Sequence, residues 1–274
     1  RSVEILVRLF VGSQYLTEIL LQNSSYLERL TQYKRMAEIK SRQQLVEDGL
    51  AVTQDAENWA GRMTALRHFQ KWELLRIAAC DTFGLMDFKV TTLQLSLLAD
   101  SIVQLTLRFA AEDLKCDSAD FCVLAMGKLG GEELNYSSDI DLVFVCEQNA
   151  GRYASMAQRL IRGLSDTTVT GFLYRVDMRL RPWGKAGALV TTRNGYLDYI
   201  RREGRLWEKQ ALLKARPIAG NLQLGEDVLK SLTPEIFQVD PEVARQSVIT
   251  MKREIEKKLE GQGLLESEIK SGRG

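Results

Sequence analysis

Residues 127–144 read GKLGGEELNYSSDIDLVF, with Asp139 and Asp141 separated by one apolar residue at the head of an apolar run. Side chains alternate between the faces of a strand, so these two carboxylates share one face while Ile140 and Leu142 point into a core. Farther along, Asp177 stands between Val176 and Met178 in GFLYRVDMRL. If that strand lies beside the first, Asp177 reaches the same face. Three carboxylates gathered there repel one another unless a divalent cation neutralises them. Oxygen donors with no His or Cys nearby select Mg²⁺ or Mn²⁺. Two such ions would clamp the attacking and leaving oxygens of a phosphoryl-group displacement.

The residues upstream and downstream suit the same chemistry. Gly127, Gly130 and Gly131 permit close backbone approach to phosphate oxygens, Lys128 adds a point charge, and Ser137 or Ser138 can donate a hydrogen bond. Arg179 and Arg181 follow at alternate positions after Asp177, where they can bind phosphate or balance the carboxylates. Each piece alone has a plainer reading: a tight turn, a solvated strand edge, a solvated rim. The conjunction is what points to a site. Glu208, Lys214 and Arg216 line either a nucleotide and partner surface or an exposed helix face with ordinary ion pairs.

The elements that must hold these residues are a helical region, a mixed core and a second helical region. Over residues 1–115 apolar residues recur at helical spacing: Ile5, Leu6, Leu9 and Phe10, then Tyr15, Ile19 and Leu20. Asn23-Ser24-Ser25 marks a stop and restart, with Ser24 or Ser25 as N-cap, and Gly84 a C-cap. TTLQLSLLADSIVQLTLRFAAEDL is apolar around much of its circumference and is expected to be a central helix. The aromatic stripe around Trp59, His68, Phe69 and Trp72 reads as packing. Residues 116–222 form the core: strands at 121–126, 141–146, 171–180 and 188–192, with a helix at about 152–165. Helices then run from GYLDYIRREGRLWEKQALLKARPIA to the end, with 223–274 a C-terminal helical segment. The missing initial Met and the closing IKSGRG predict a truncated fragment.

Composition narrows the class. The chain has 274 residues, with 37 Lys plus Arg against 36 Asp plus Glu, which gives no electrostatic case for nucleic-acid or membrane-surface binding. The four cysteines lack metal-ligand spacing and fit reduced thiols in a cytoplasmic protein, and a single histidine excludes His-based zinc chemistry. No signal peptide and no apolar run of about 18 residues is expected.

Strand, Gly-Gly, spacer, Asp-apolar-Asp, helix, then a strand with a third Asp resembles the nucleotidyltransferase superfamily of the DNA polymerase beta type. GKLGGEELNYSSDIDLVF, GFLYRVDMRLRPWGKAGALV and WEKQALLKARPIAG narrow this to a resemblance to the glutamine synthetase adenylyltransferases, bifunctional enzymes with two such domains per chain. ELNYSSDIDL is similar to the N-terminal copy, since the C-terminal copy has Gly where this chain has Ser137-Ser138. The resemblance implies an α+β fold, a polymerase beta-like core with a small mixed sheet flanked by helices. It also implies phosphorolysis of adenylyl-tyrosine on glutamine synthetase, giving ADP, with Asp139, Asp141 and Asp177 as metal ligands. The partners implied are glutamine synthetase, the PII signal protein, adenine nucleotide and phosphate. Adenylylation of the tyrosine with ATP, or a regulatory docking module, are the alternatives.

Overall fold

The computed structural model describes residues 7, 10, 11, 14–23, 25–31 and 37–261. The expectations for Ile5, Leu6, Leu9, Ser24 and the closing IKSGRG lie outside them. Among the described residues the N-terminal region contains α1 (Gln14–Gln22), α2 (Ser25–Thr31), α3 (Arg42–Thr53), α4 (Trp59–Thr82) and α5 (Phe88–Asp113). Local chemistry sets their ends. Ser41 and Gln44 form a capping box on α3, and the Asn58 and Asp87 side chains accept from the first turns of α4 and α5. Gly84 follows α4 with φ +66°, the left-handed conformation its position needs.

The core then alternates strand and helix: β1 (Phe121–Met126), one-turn α6 (Gly127–Gly130), β2 (Ile140–Cys146), α7 (Ala154–Ser165), β3 (Val176–Asp177) and β4 (Val190–Thr192). It continues through α8 (Arg193–Arg202), α9 (Leu206–Ala211), β5 (Arg216–Gly220), α10 (Leu222–Ser231), α11 (Thr233–Phe237) and α12 (Pro241–Gly261). The sheet order is β3-β2-β1-β5, with β1 antiparallel to both neighbours. β3 pairs in parallel with the start of β2, and β4 in parallel with its end.

β1 is buried on both faces, which explains its unbroken apolar run. Phe121, Val123 and Ala125 join Ile140, Leu142 and Phe144 in the largest apolar cluster, which extends through α5, α4 and α7. Cys122, Leu124 and Met126 face the other way with Val143 and Val145, onto Tyr196, Ile200, Leu224 and Val228 of α8 and α10. Burial of such side chains stabilises by about 1.5–3 kcal/mol each.

The fold departs from the sequence-based expectation in four places. The strand expected over 171–180 shrinks to Val176–Asp177. The Leu173 and Tyr174 N–H groups both donate to Leu164 O, and the Asp177 carboxylate takes the Arg179 N–H, so neither flank can enter the ladder. The strand expected at 188–192 begins only at Val190. The helix expected after residue 194 breaks at Gly204 and gives way to β5, whose Pro217 has no N–H to offer but sits on an edge strand. Finally, α5 is long and apolar enough to cross a membrane by composition, although no run of that length was expected; here most of it is buried inside the fold.

Candidate active site

The alternation along β2 decides where its carboxylates go. Even positions enter the main core, so Asp141 projects on the opposite face, the one that carries Val143 and Val145 farther along. Asp139 precedes the strand by one residue and is exposed. Asp141 pairs in register with Asp177 across the parallel β2–β3 ladder, and with Met126 across β1. Residues paired in register project on the same side, so the second and third carboxylates are neighbours.

Gly127 completes this corner. It opens α6 with φ +56°, and a Cβ built on it would lie 2.5 Å from Asp141 Oδ2. Both the backbone conformation and the space exclude a side chain. Gly130 closes the turn, where a Cβ would fall 2.2 Å from Lys214 O and 2.7 Å from Ala125 O. Lys128 is half-buried within α6, and Gly131 packs on the Lys214 stem beyond it.

Two arginines balance the carboxylates. Arg175 Nε lies 2.5 Å from Asp139 Oδ1 and its Nη2 donates to Ser137 O at 2.7 Å. Arg179 Nε donates to Asp177 Oδ2 at 2.7 Å, with Nη2 2.5 Å from the same oxygen. Those hydrogen bonds hold Asp177 below the usual carboxylate range. In return Arg179 is held more firmly protonated by Asp177 first, then by Asp141 and Asp139. One guanidinium thus sits in the field of all three aspartates. As arranged, no group of three His, Cys, Asp or Glu among the described residues is gathered closely enough to hold a metal ion. The donor chemistry nevertheless fits a hard divalent cation, since the side chains gathered at this corner offer carboxylate oxygens and neither His nor Cys.

Other residues expected at the site stand apart from the carboxylates. Arg181 spends its guanidinium on the carbonyls of Met178, Lys185 and Gly187 at 2.8, 3.1 and 3.2 Å, holding the 178–187 loop. Ser138 Oγ accepts from the Asn135 N–H at 3.4 Å, and Ser137 offers its carbonyl to Arg175. Glu208 accepts from Tyr199 and caps α9, and Lys214 pairs with Glu133 at 2.6 Å. Arg216 turns inward to Asp100. A cleft of about 470 Å³, running between Ile19, Leu74 and Leu173, is lined by Ser137, Ser138 and Arg175, the last of which meets Asp139; none of the three aspartates lines it.

Arg175 is the functional side chain that sequence reasoning missed, though RVDMR carries the signal: Arg at two residues either side of a strand aspartate. Asp100 was missed too. It is the sole charged residue between Lys89 and Arg108 in the long apolar middle of α5.

The family model for glutamate-ammonia ligase adenylyltransferase matches residues 3–231. The bifunctional glutamine synthetase adenylyltransferase/adenylyl-removing enzyme of Hahella chejuensis is 37% identical over 232 residues, 76% of this chain and 24% of the relative. The protein of the same name from Thioalkalivibrio sulfidiphilus is 35% identical over 256 residues, 86% of this chain and 26% of the relative. That from Streptomyces avermitilis is 42% identical over 175 residues, 60% of this chain and 18% of the relative. The chain therefore spans about a quarter of the length of the first two relatives.

Proposed function

Because this chain belongs to the glutamate-ammonia ligase adenylyltransferase family, we propose that it removes AMP from an adenylylated tyrosine of glutamine synthetase by phosphorolysis. The observation that carries the reading is the corner itself: Asp141 in register with Asp177, against a glycine turn that leaves no room for a side chain. The direction of the reaction rests on ELNYSSDIDL, whose Ser137-Ser138 is similar to the AMP-removing copy of the family.

An oxygen of inorganic phosphate attacks the AMP phosphorus, the bond from phosphorus to the tyrosine oxygen breaks, and ADP and free tyrosine result. Asp139, Asp141 and Asp177 would hold Mg²⁺ or Mn²⁺, which supplies Lewis-acid stabilisation of the phosphoryl charge when bound. The α6 turn lays its backbone and Lys128 along the phosphate oxygens. Arg175 and Arg179 exchange their carboxylate partners for phosphate oxygens as substrate arrives, a planar fork serving both anions. The phenolate leaves without a strong general acid, since its pKa is only about 10. On this reading the cleft that ends at Arg175 between Ile19, Leu74 and Leu173 would receive the tyrosine-bearing segment of glutamine synthetase. PII signal protein, within the cytoplasm, is the regulatory partner this reading brings with it.

The relatives' names carry both activities, so adenylylation with ATP is the second reading. Incubating the chain with adenylylated glutamine synthetase, Mg²⁺ and phosphate separates them. ADP release supports phosphorolysis, and its loss in the Asp139→Asn, Asp141→Asn double variant ties it to this site. Turnover retained by the double variant sinks the assignment. Pyrophosphate formed from ATP and unmodified glutamine synthetase favours the second reading.

A further inference from the structure

Asp100 lies in the middle of α5, on the helical side of the molecule, with no solvent exposure. A buried carboxylate is costly unless paired, and its partner comes from a strand 116 residues away. Arg216, the first residue of β5, meets it bidentately: Nη1 to Oδ2 at 2.5 Å and Nη2 to Oδ1 at 3.0 Å. The same guanidinium has donors left over, and they go to the glycine turn. Nη2 also donates to Leu129 O at 3.0 Å, and Nε to Gly130 O at 3.2 Å. These are the last carbonyls of α6; Leu129 O also accepts the Glu132 N–H at 3.2 Å, so the guanidinium adds to the turn's own closure.

A second contact from the same face of α5 reinforces the first. Ser96, one helical turn before Asp100, accepts the Leu134 N–H at 3.1 Å. The turn is thus gripped at both ends of its exit, while its entry residue, Gly127, abuts the Asp141 carboxylate. Arg42 of α3 donates to Gln104 and to Ile218 O in β5, so its charge faces Asp100 from the third side. Glu132 approaches Arg216 Nε at 3.8 Å from the loop after α6.

We propose that Asp100 is a positioning residue for the phosphate-binding turn: through the Arg216 guanidinium it fixes the carbonyl end of α6, and with it the place of Gly127 beside Asp141. The helical region is then a frame that holds the catalytic corner in register. A fork is required, because one side chain must reach a carboxylate and two carbonyls at once. The catalytic consequence rests on the phosphorolysis reading; the mechanical content does not.

Amide hydrogen exchange on the intact chain tests the mechanical part. In Asp100→Asn, amides of residues 127–134 are expected to exchange about tenfold faster or more, with protection in α4, α5 and β1 kept. Unchanged exchange at 127–134, or acceleration spread evenly over α5 and β1, overturns the proposal. Should Asp100→Asn fail to fold, Arg216→Lys carries the same test, since lysine keeps the charge and loses the fork. Kinetics test the second part: kcat for ADP release falls about tenfold, and KM for adenylylated glutamine synthetase stays as in the wild type. Wild-type kcat alongside a loosened turn overturns the positioning role. A wild-type chain that releases no ADP sinks the phosphorolysis reading instead, and the exchange comparison then decides this proposal alone.

Discussion

Asp177 with Arg179 and Asp100 with Arg216 are the same chemical pair in two settings. Arg179 lies on the surface, its side chain 69% exposed, whereas Asp100 is fully covered. The carboxylates respond in opposite directions. Hydrogen bonds from Arg179 lower the pKa of Asp177, while burial pushes Asp100 from an ordinary 3.8 up to about 6 despite its bidentate partner. Asp177 keeps only 14% of its side chain exposed, but its guanidinium partner stands in solvent and can part from it to meet a phosphate or a cation; in the Asp100 pair both partners are held inside. One is therefore suited to chemistry and the other to holding the chemistry in place.

The sharpest way to separate the two roles is to remove a carboxylate from each. Asp141→Asn is expected to lower turnover by about 10³-fold or more while leaving the urea midpoint near wild type. Asp100→Ala is expected to act the other way round, destabilising the fold by about 3 kcal/mol, because Arg216 and Arg42 are left facing an empty partner position. Urea unfolding followed by circular dichroism reads both. Equal stability losses would erase the distinction.

A smaller effect follows from the sign of the Asp100 shift. A carboxyl whose pKa is raised on folding favours the folded state most when protonated. Its contribution is complete below about pH 3.8 and is lost as pH rises through about 6. The stability of the wild type relative to Asp100→Asn should fall between those values, by on the order of 2 kcal/mol. A difference that stays flat across that window would show that burial does not dominate at Asp100. Asp177 runs oppositely: its lowered pKa means its contribution is present at neutral pH and lost only in acid, below the ordinary carboxylate range.

The smallest stability change belongs to Arg175→Gln. Its partner Asp139 is half-exposed, so thermal unfolding should register less than about 1 kcal/mol. The same variant should nevertheless raise the KM for phosphate several-fold if the guanidinium passes from carboxylate to phosphate. A stability loss larger than that of Asp100→Ala would reverse the comparison.

Much of the candidate site was legible in sequence because its signals are local. Ile140-Asp141-Leu142 declares its faces by alternation alone, and Gly127 stands at φ +56° with the Asp141 carboxylate 2.5 Å from where a Cβ would sit. α5 was readable for the same reason, as an apolar helix from Thr91 onward, while its start at Phe88 under the Asp87 cap was not. Where the readings failed, the deciding contacts are distant in sequence. β5 looked helical because LWEKQALLK precedes it, and only pairing with β1 makes it a strand. What Arg181 does in the folded chain, clamping a loop that reaches six residues ahead, was likewise outside what its spacing could show.

The sequence by itself determined which residues carry charge onto a strand face, where helices start, and which runs are too apolar to be exposed. Those are consequences of periodicity and of side-chain chemistry within a few bonds of the backbone. Tertiary structure alone decided how the arginines are shared: Arg175 to Asp139 and Arg179 to Asp177, Arg181 to its own loop, and Arg216 to Asp100 across 116 residues. A guanidinium binds any carboxylate or carbonyl within reach. Which one it finds, and whether water can compete, is set only when distant elements pack together.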